Sequence, residues 1–192
     1  EIPLRLVGSE MCIRDRCYKN SGIAAAVEAA GGRMAEAHDK AAYREVSRPA
    51  AGSMKTALIH KEILEADVFI NVPILKNHGG AKMTAALKNF MGLVWDRQYM
   101  HRHNLAQCIA DAALYRKPDL NVIDAYRIMQ TNGPLGVGLG DVRNPRYQIL
   151  SRDIVAADTL AAKLLRFPLD TVPYVCLLYT SPSPRDVEES RM

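Results

Sequence analysis

One stretch constrains the fold more than any other: residues 66–97, ADVFINVPILKNHGGAKMTAALKNFMGLVWDR. Val68, Phe69, Ile70 and Val72 make a nearly continuous apolar run. That is the pattern of a strand covered on both faces in a parallel sheet. The strand is read over residues 67–75. Pro73 has no amide to donate, so the ladder is expected to end near Val72 or to leave Pro73 unpaired. The run gives way to Lys76-Asn77-His78-Gly79-Gly80, and a helix pattern follows. Ala86, Leu87, Phe90, Met91 and Val94 share one helical face, and Thr84, Lys88 and Gly92, each four apart, share another. Thr84 is the expected cap. Strand, polar turn and amphipathic helix in one stretch are the layout of a site at a strand's carboxyl end.

The flanking sequence continues the alternation. Residues 21–30 read as a helix that Ser21 can cap and Gly31-Gly32 stops. Residues 33–37, 43–48 and 56–60 read as strands, with a helical turn over 61–66. A helix is expected over 104–115, and a strand over 120–123 ending at Asp124. A further strand is expected over 147–151, then a helix over 154–167 capped by Asp153. Strands alternating with helices point to an α/β fold, a largely parallel sheet flanked by helices in a single incomplete domain.

The two ends read differently. Residues 6–16, LVGSEMCIRDR, and 176–186, CLLYTSPSPRD, match translations of a transposase-type sequencing-library adaptor. The outermost residues match the flow-cell primer that flanks it. Residues 1–16 and 176–192 are therefore taken as adaptor-derived and set aside, which leaves 17–175 as natural sequence open at both ends. Setting aside their five arginines and six carboxylates leaves 20 basic and 15 acidic residues, a net of +5. A mildly basic chain suits an anionic small molecule. It has no basic stripe interleaved with aromatics, so nucleic acid is not an expected partner. Cys17 and Cys108 are too few and too far apart for a disulfide framework or a metal knuckle. No run approaches the roughly 18 apolar residues of a spanning helix.

The candidate site residues follow from the central stretch. Lys76 and His78, beside Gly79 and Gly80, are placed to hold a carboxylate or phosphate, with the glycines letting backbone amides approach it. The plainer alternative is a solvated turn. Lys88 and Asn89 sit mid-helix, where a solvent-facing lysine is the ordinary reading. Gly92 one turn on costs roughly 1 kcal/mol in a helix interior, which favours a close approach by something there. Trp95-Asp96-Arg97 and His101-Arg102-His103 read as an anion-gripping loop, with Asp96 orienting His101 or Lys88, or pairing with Arg97. No zinc-type spacing is present, and no metal site is assigned. Asp124, at a strand end, is a usual place for an acid–base carboxylate, and a turn cap is its alternative. The glycine-rich segment 133–140 lacks the context of a dinucleotide fingerprint and reads as a mobile flap. Asp158, in an apolar helix, is expected to pair with a structural arginine.

With these residues in view, the chain resembles the domain-of-unknown-function family number 362. The resemblance rests on Ala66-Asp67-Val68-Phe69-Ile70-Asn71-Val72-Pro73 with Lys76 and His78, on Thr84, on Leu87-Lys88-Asn89 and on Met91-Gly92. Ile109-Ala110-Asp111, Asp124, Asn132-Gly133-Pro134-Leu135-Gly136 and Asp153 with Ala156-Ala157-Asp158 extend it over nearly the whole of 17–175. It implies no particular reaction. Some members carry a neighbouring ferredoxin-type iron–sulfur domain or an export signal. Residues 17–175 have no cysteine quartet of that kind, with only Cys17 and Cys108, so any cluster would lie in a neighbouring domain outside them.

Two functional expectations result. In the first, the domain is part of an enzyme acting on an anionic small molecule, a redox enzyme if the parent protein carries clusters. Lys76, Lys88, Asn89, Arg97, Gly79 and Gly80 would bind the anion. His78 or His101 would move protons, and Asp96 or Asp124 would orient them. In the second, it is a binding or electron-transfer accessory module without chemistry of its own, serving a ferredoxin-type domain or protein.

Overall fold

Short strands and helices are interspersed along the described residues. The computed structural model describes residues 5–6 and 18–179. In order, the elements are β1 (Arg5–Leu6), α1 (Ile23–Ala29), β2 (Arg33–Met34), β3 (Tyr43–Ser47), β4 (Thr56–His60), α2 (Lys61–Glu65) and β5 (Ile70–Asn71). Then come β6 (Ile74–His78), β7 (Lys82–Thr84), α3 (Ala86–Asn89), α4 (Arg97–Arg102) and α5 (Leu105–Ala112). The last are β8 (Leu120–Met129), β9 (Val142–Arg143), β10 (Tyr147–Ser151), α6 (Ile154–Leu164) and α7 (Pro173–Tyr179). The α/β class read from the sequence holds. The described chain packs as two compact units, one of residues up to Ile70 with Lys88–Asp119, the other of Asn71–Leu87 with residues from Leu120 on.

The first unit is built on a hairpin. β3 and β4 pair antiparallel from Tyr43 opposite His60 to Ser47 opposite Thr56. The chain after α3 lies along β4, where Val94 bridges to Ile59 and Trp95 N donates to Leu58 O at 3.0 Å. The Tyr43 ring meets His60 and Trp95 edge-on at 4.9 and 5.0 Å, so an aromatic cluster closes this end of the core. His60 is buried and structural. Its Nε2 lies 2.7 Å from Glu36 O, an acceptor, so it carries the proton, and Nδ1 accepts the Glu62 amide at the start of α2. β1 pairs parallel with β2, Arg5 opposite Arg33.

The second unit holds the main sheet, strand order β10-β8-β6-β7, with β5 and β9 also on β8. Parallel pairing sits at its centre, between β6 and β8. β7, β9 and β10 pair antiparallel with their neighbours. The reason at β7 is length: only Gly79-Gly80-Ala81 separates it from β6, which suffices for a hairpin and not for a crossover. Asp153 caps α6 as expected, its Oδ1 accepting from Val155 N and Ala156 N. A buried amide pair ties the sheet's start, with Asn71 Nδ2 donating to Asn121 Oδ1 and to Ala86 O, both at 3.0 Å.

The central apolar run departs from expectation. Phe69, Asn71, Pro73 and Leu75 are buried while Val68, Ile70, Val72 and Ile74 are exposed, so the run alternates and is not covered on both faces. The strand is also broken at Val72-Pro73, where the proline carbonyl accepts the Asp124 amide at 2.9 Å. On one side of the sheet Leu75, Ile123, Ala125 and Ile149 are buried together with Ala157 and Ala161 of α6. On the other, Ile74, Tyr126 and Leu150 stay exposed. The boundary read after Val175 falls inside α7, whose Tyr174 hydroxyl donates to Met83 O at 2.9 Å. The strand β1 likewise falls in the segment read as adaptor-derived; the remainder of the two end segments lies outside the described residues.

Candidate functional site

The β6–β7 hairpin gathers polar groups on one face. Lys76 stands opposite Thr84 and His78 opposite Lys82. Opposed residues of an antiparallel pair leave the sheet on the same side, so these four share a face. Leu75 and Met83 turn the other way and are fully buried. The Thr84 hydroxyl is buried and has no hydrogen-bond partner among the described residues. His78 Nδ1 accepts from the amides of Gly80 and Ala81 at 3.2 and 3.1 Å. In the neutral ring the proton therefore sits on Nε2, which is a donor. Lys82 holds a left-handed backbone, φ 67°, an unusual conformation for a long side chain.

This arrangement corrects the sequence reading in three ways. Lys76 and His78 lie within β6 rather than beyond a strand end. The amides of Gly79 and Gly80, expected to face a ligand, already donate to Gly133 O at 3.1 Å and to His78 Nδ1. Thr84 belongs to β7, and α3 gives way to a tighter 3-10 turn at Phe90, so Thr84, Lys88 and Gly92 do not line one helical face.

The glycine-rich segment is pinned rather than a mobile flap. Asn77 Oδ1 accepts the Gly133 amide at 2.8 Å, seating the segment on β6. Further on, the Asp141 carboxylate gathers Thr131 Oγ1 at 2.6 Å, Asn132 Nδ2 at 2.7 Å and the amides of Val137 and Gly138 at 2.6 and 3.2 Å. These bonds, that from Thr131 first, hold its pKa down at about 2. Asp124 lies in the middle of β8, exposed, and its Oδ1 accepts the Tyr126 amide at 2.9 Å. It does not end a strand, because β8 runs on to Met129.

The remaining candidates fall in the first unit. Lys88 and Asn89 end α3 and are half-buried. Asp96 caps α4, its Oδ1 accepting Tyr99 N at 2.8 Å. Arg97 Nε donates to Val94 O at 3.3 Å. His101 is exposed on α4, while the His103 ring stacks on Tyr99 at 3.8 Å. Lys76, His78, Gly79, Gly80 and Asp124 thus belong to one unit and Lys88, Asn89, Asp96, Arg97 and His101 to the other. Among the described residues, no group of three or more His, Cys, Asp or Glu side chains is placed to hold a metal ion.

Asp158 carries a role that the sequence reading missed. It is fully buried and accepts the amides of Ala86 and Leu87 at 2.6 and 3.1 Å. It pairs with these backbone groups, and it caps α3 where Thr84 was expected to. Burial pushes its pKa up to about 7, against the opposing pull of the two amides. Between about pH 4 and 7 the native carboxyl holds a proton that the unfolded chain has released. The stability due to this group is therefore present at the acid end of that window and falls as pH rises through it. Asp158→Asn is expected to flatten the urea-unfolding free energy measured across this window. The difference in slope between wild type and Asp158→Asn should approach about 1.4 kcal/mol per pH unit. An equal slope in both proteins would assign the pH dependence elsewhere.

The comparisons with known proteins bear on this arrangement. The chain is 29% identical over 123 residues to the thylakoid-associated protein sll1697 of Synechocystis sp. (strain ATCC 27184 / PCC 6803 / Kazusa), covering 60% of this chain and 37% of that relative. The chain thus matches little more than a third of the relative's length. No solved structure matches significantly. The family model described as Domain of unknown function (DUF362) matches residues 6–163, which takes in the hairpin, the pinned loop and Asp158. On that match, the chain belongs to the DUF362 family.

Proposed function

We propose that the exposed face of the β6–β7 hairpin binds an anionic small molecule, a carboxylate or a phosphate. The observation that carries the reading is the shared face of Lys76, His78, Lys82 and the unpartnered Thr84 hydroxyl. Two lysines and a histidine held side by side repel one another once the ring is charged, and an anion between them removes that cost. Charge-assisted contacts of this kind contribute about 1.5–3 kcal/mol each. The strained backbone at Lys82 fits a residue kept for its side chain, since glycine would sit there without strain.

In an enzyme, His78 Nε2 would donate or take the proton at the bound anion, and Asp124 is the carboxylate of the same unit available to orient a ligand. Lys88, Asn89 and Arg97, with Asp96 and His101, stand as a separate set of candidates in the first unit. The alternative is a non-catalytic accessory module. A ferredoxin-type partner, or an iron–sulfur cluster in a neighbouring domain, would make the parent protein a redox enzyme. Titration calorimetry with inorganic phosphate and with acetate tests the binding. Lys76→Ala and Lys82→Ala are each expected to weaken it about tenfold or more, and their effects to be non-additive. Lys88→Ala reports separately on the first unit. Unchanged affinity in both hairpin variants would remove the hairpin from the reading.

A second reading, contact with a membrane surface, is suggested by the thylakoid association in the relative's name. It is favoured by three exposed apolar side chains on the pinned loop, Leu135, Val137 and Leu139. Among the described residues no helix is long and apolar enough to cross a membrane, and the contact read here is through the loop.

A further inference from the structure

We propose that the pinned loop over residues 131–141 is a docking element for an anionic lipid surface, inserting Leu135, Val137 and Leu139 while Arg143 and Arg146 meet the headgroups. The inference rests on the second reading above and assigns it a site. The three apolar side chains are 92%, 87% and 92% exposed, more than any other large apolar side chain of the described residues. They alternate with Gly136, Gly138 and Gly140, so no two of them are adjacent in the chain.

The loop behind them is already ordered. Asp141 holds it through Thr131, Asn132 and the amides of Val137 and Gly138. Asn77 holds its start through Gly133 N. Contact therefore costs little further ordering of the chain. Isolated aliphatic tips make a poor protein interface, which needs a packed, shape-matched centre with aromatic or arginine anchors. A bilayer accepts them without shape matching, since it is fluid and each methylene leaves water. The charge agrees. Arg143 follows the loop directly in β9 and Arg146 lies three residues on, both exposed, and Arg127 is exposed on β8, which pairs with β9. The loop's own carboxylate, Asp141, is buried beneath it. Exposed cations close to the loop in sequence favour an anionic over a neutral surface.

Co-sedimentation of the chain with vesicles tests this, using phosphatidylcholine alone and an equal mixture with phosphatidylglycerol. The chain is expected to sediment with the mixed vesicles, less at high salt, and weakly with phosphatidylcholine. Replacing Leu135 and Leu139 by serine together should cut partitioning about a hundredfold, roughly tenfold for each leucine. The thermal transition should be unchanged, because both side chains are in water in the free protein. Arg143→Gln with Arg146→Gln should remove most of the preference for phosphatidylglycerol. Wild-type and serine variant binding equally would overturn the assignment of the loop and leave membrane contact standing. A wild-type chain that binds neither vesicle would overturn both. So would a chain that ignores vesicles but self-associates in a way the serine variant abolishes, marking the loop as a protein interface.

Discussion

Gly133→Ala is expected to destabilise the second unit by about 3 kcal/mol or more, the upper part of the range for overpacking a close contact. An added Cβ would lie 1.8 Å from the Asn77 carbonyl oxygen and 2.5 Å from its carbon. Both are main-chain atoms within β6, so no side-chain rotation relieves the clash. Either the strand moves, which disturbs its pairing with β7, or the loop lifts off. Lifting the loop breaks Gly133 N to Asn77 Oδ1 at 2.8 Å and Gly79 N to Gly133 O at 3.1 Å together. For a domain of ordinary stability, roughly 5–15 kcal/mol, that is a large fraction of the total. Gly79→Ala is the matched control, because its added Cβ meets nothing closer than 3.8 Å, an ordinary contact. Urea unfolding should separate the two variants clearly. Equal, small losses would mean that the loop does not sit on Asn77 in solution.

What was legible in the sequence was local. The strands Tyr43–Ser47, Thr56–His60 and Tyr147–Ser151 and the Asp153 cap are written in short patterns, and each formed. Lys76 and His78 were legible as candidates because they interrupt an apolar run. The hairpin that holds them shows in the sequence only as a turn signal, Gly79-Gly80 between Asn77 and Met83, which the stronger helix pattern after it masks. That helix pattern takes in Thr84 as its cap, a residue that instead pairs as the end of β7. Lys82 and the Thr84 hydroxyl became part of the site only through register, a property of two strands and not of either one.

The buried carboxylates were opaque for a different reason. Asp111, Asp141 and Asp158 all hold main-chain amides. For Asp111 and Asp158 those amides lie between 57 and 72 residues away along the chain. Nothing adjacent to an aspartate announces such a partner. The residues that carry the family resemblance include Asp111, Gly133 and Asp158, and in this chain each is held to main-chain or side-chain groups far away in sequence.

Asp111→Ala is the second large expected effect, and it falls in the first unit. Asp111 is buried on α5 and receives three successive amides, Gly52 at 2.9 Å, Ser53 at 2.7 Å and Met54 at 2.8 Å, with Gln107 Nε2 at 2.9 Å on the same carboxylate. Three consecutive N–H groups converging on one carboxylate form an anion nest that the protein fills with its own side chain. The loop they belong to joins β3 to β4, and Met54 and Ala51 within it are buried, so water does not readily replace the lost acceptor. A buried donor left unsatisfied costs about 1–3 kcal/mol, and removing the charged partner of several at once costs about 3–5 kcal/mol in total. Asp111→Asn keeps one acceptor but turns an amino group toward the remaining amides, so its loss should fall between wild type and alanine. Gln107→Ala, which removes a donor and leaves the carboxylate in place, should cost under about 1 kcal/mol. Hydrogen exchange adds a readout that global stability lacks: the Ser53 and Met54 amides should lose protection in Asp111→Ala beyond the change in the hairpin β3–β4. If those amides stay protected and the stability loss is within about 1 kcal/mol, the loop is held by its buried apolar side chains, and the nest is a consequence of that packing rather than its cause.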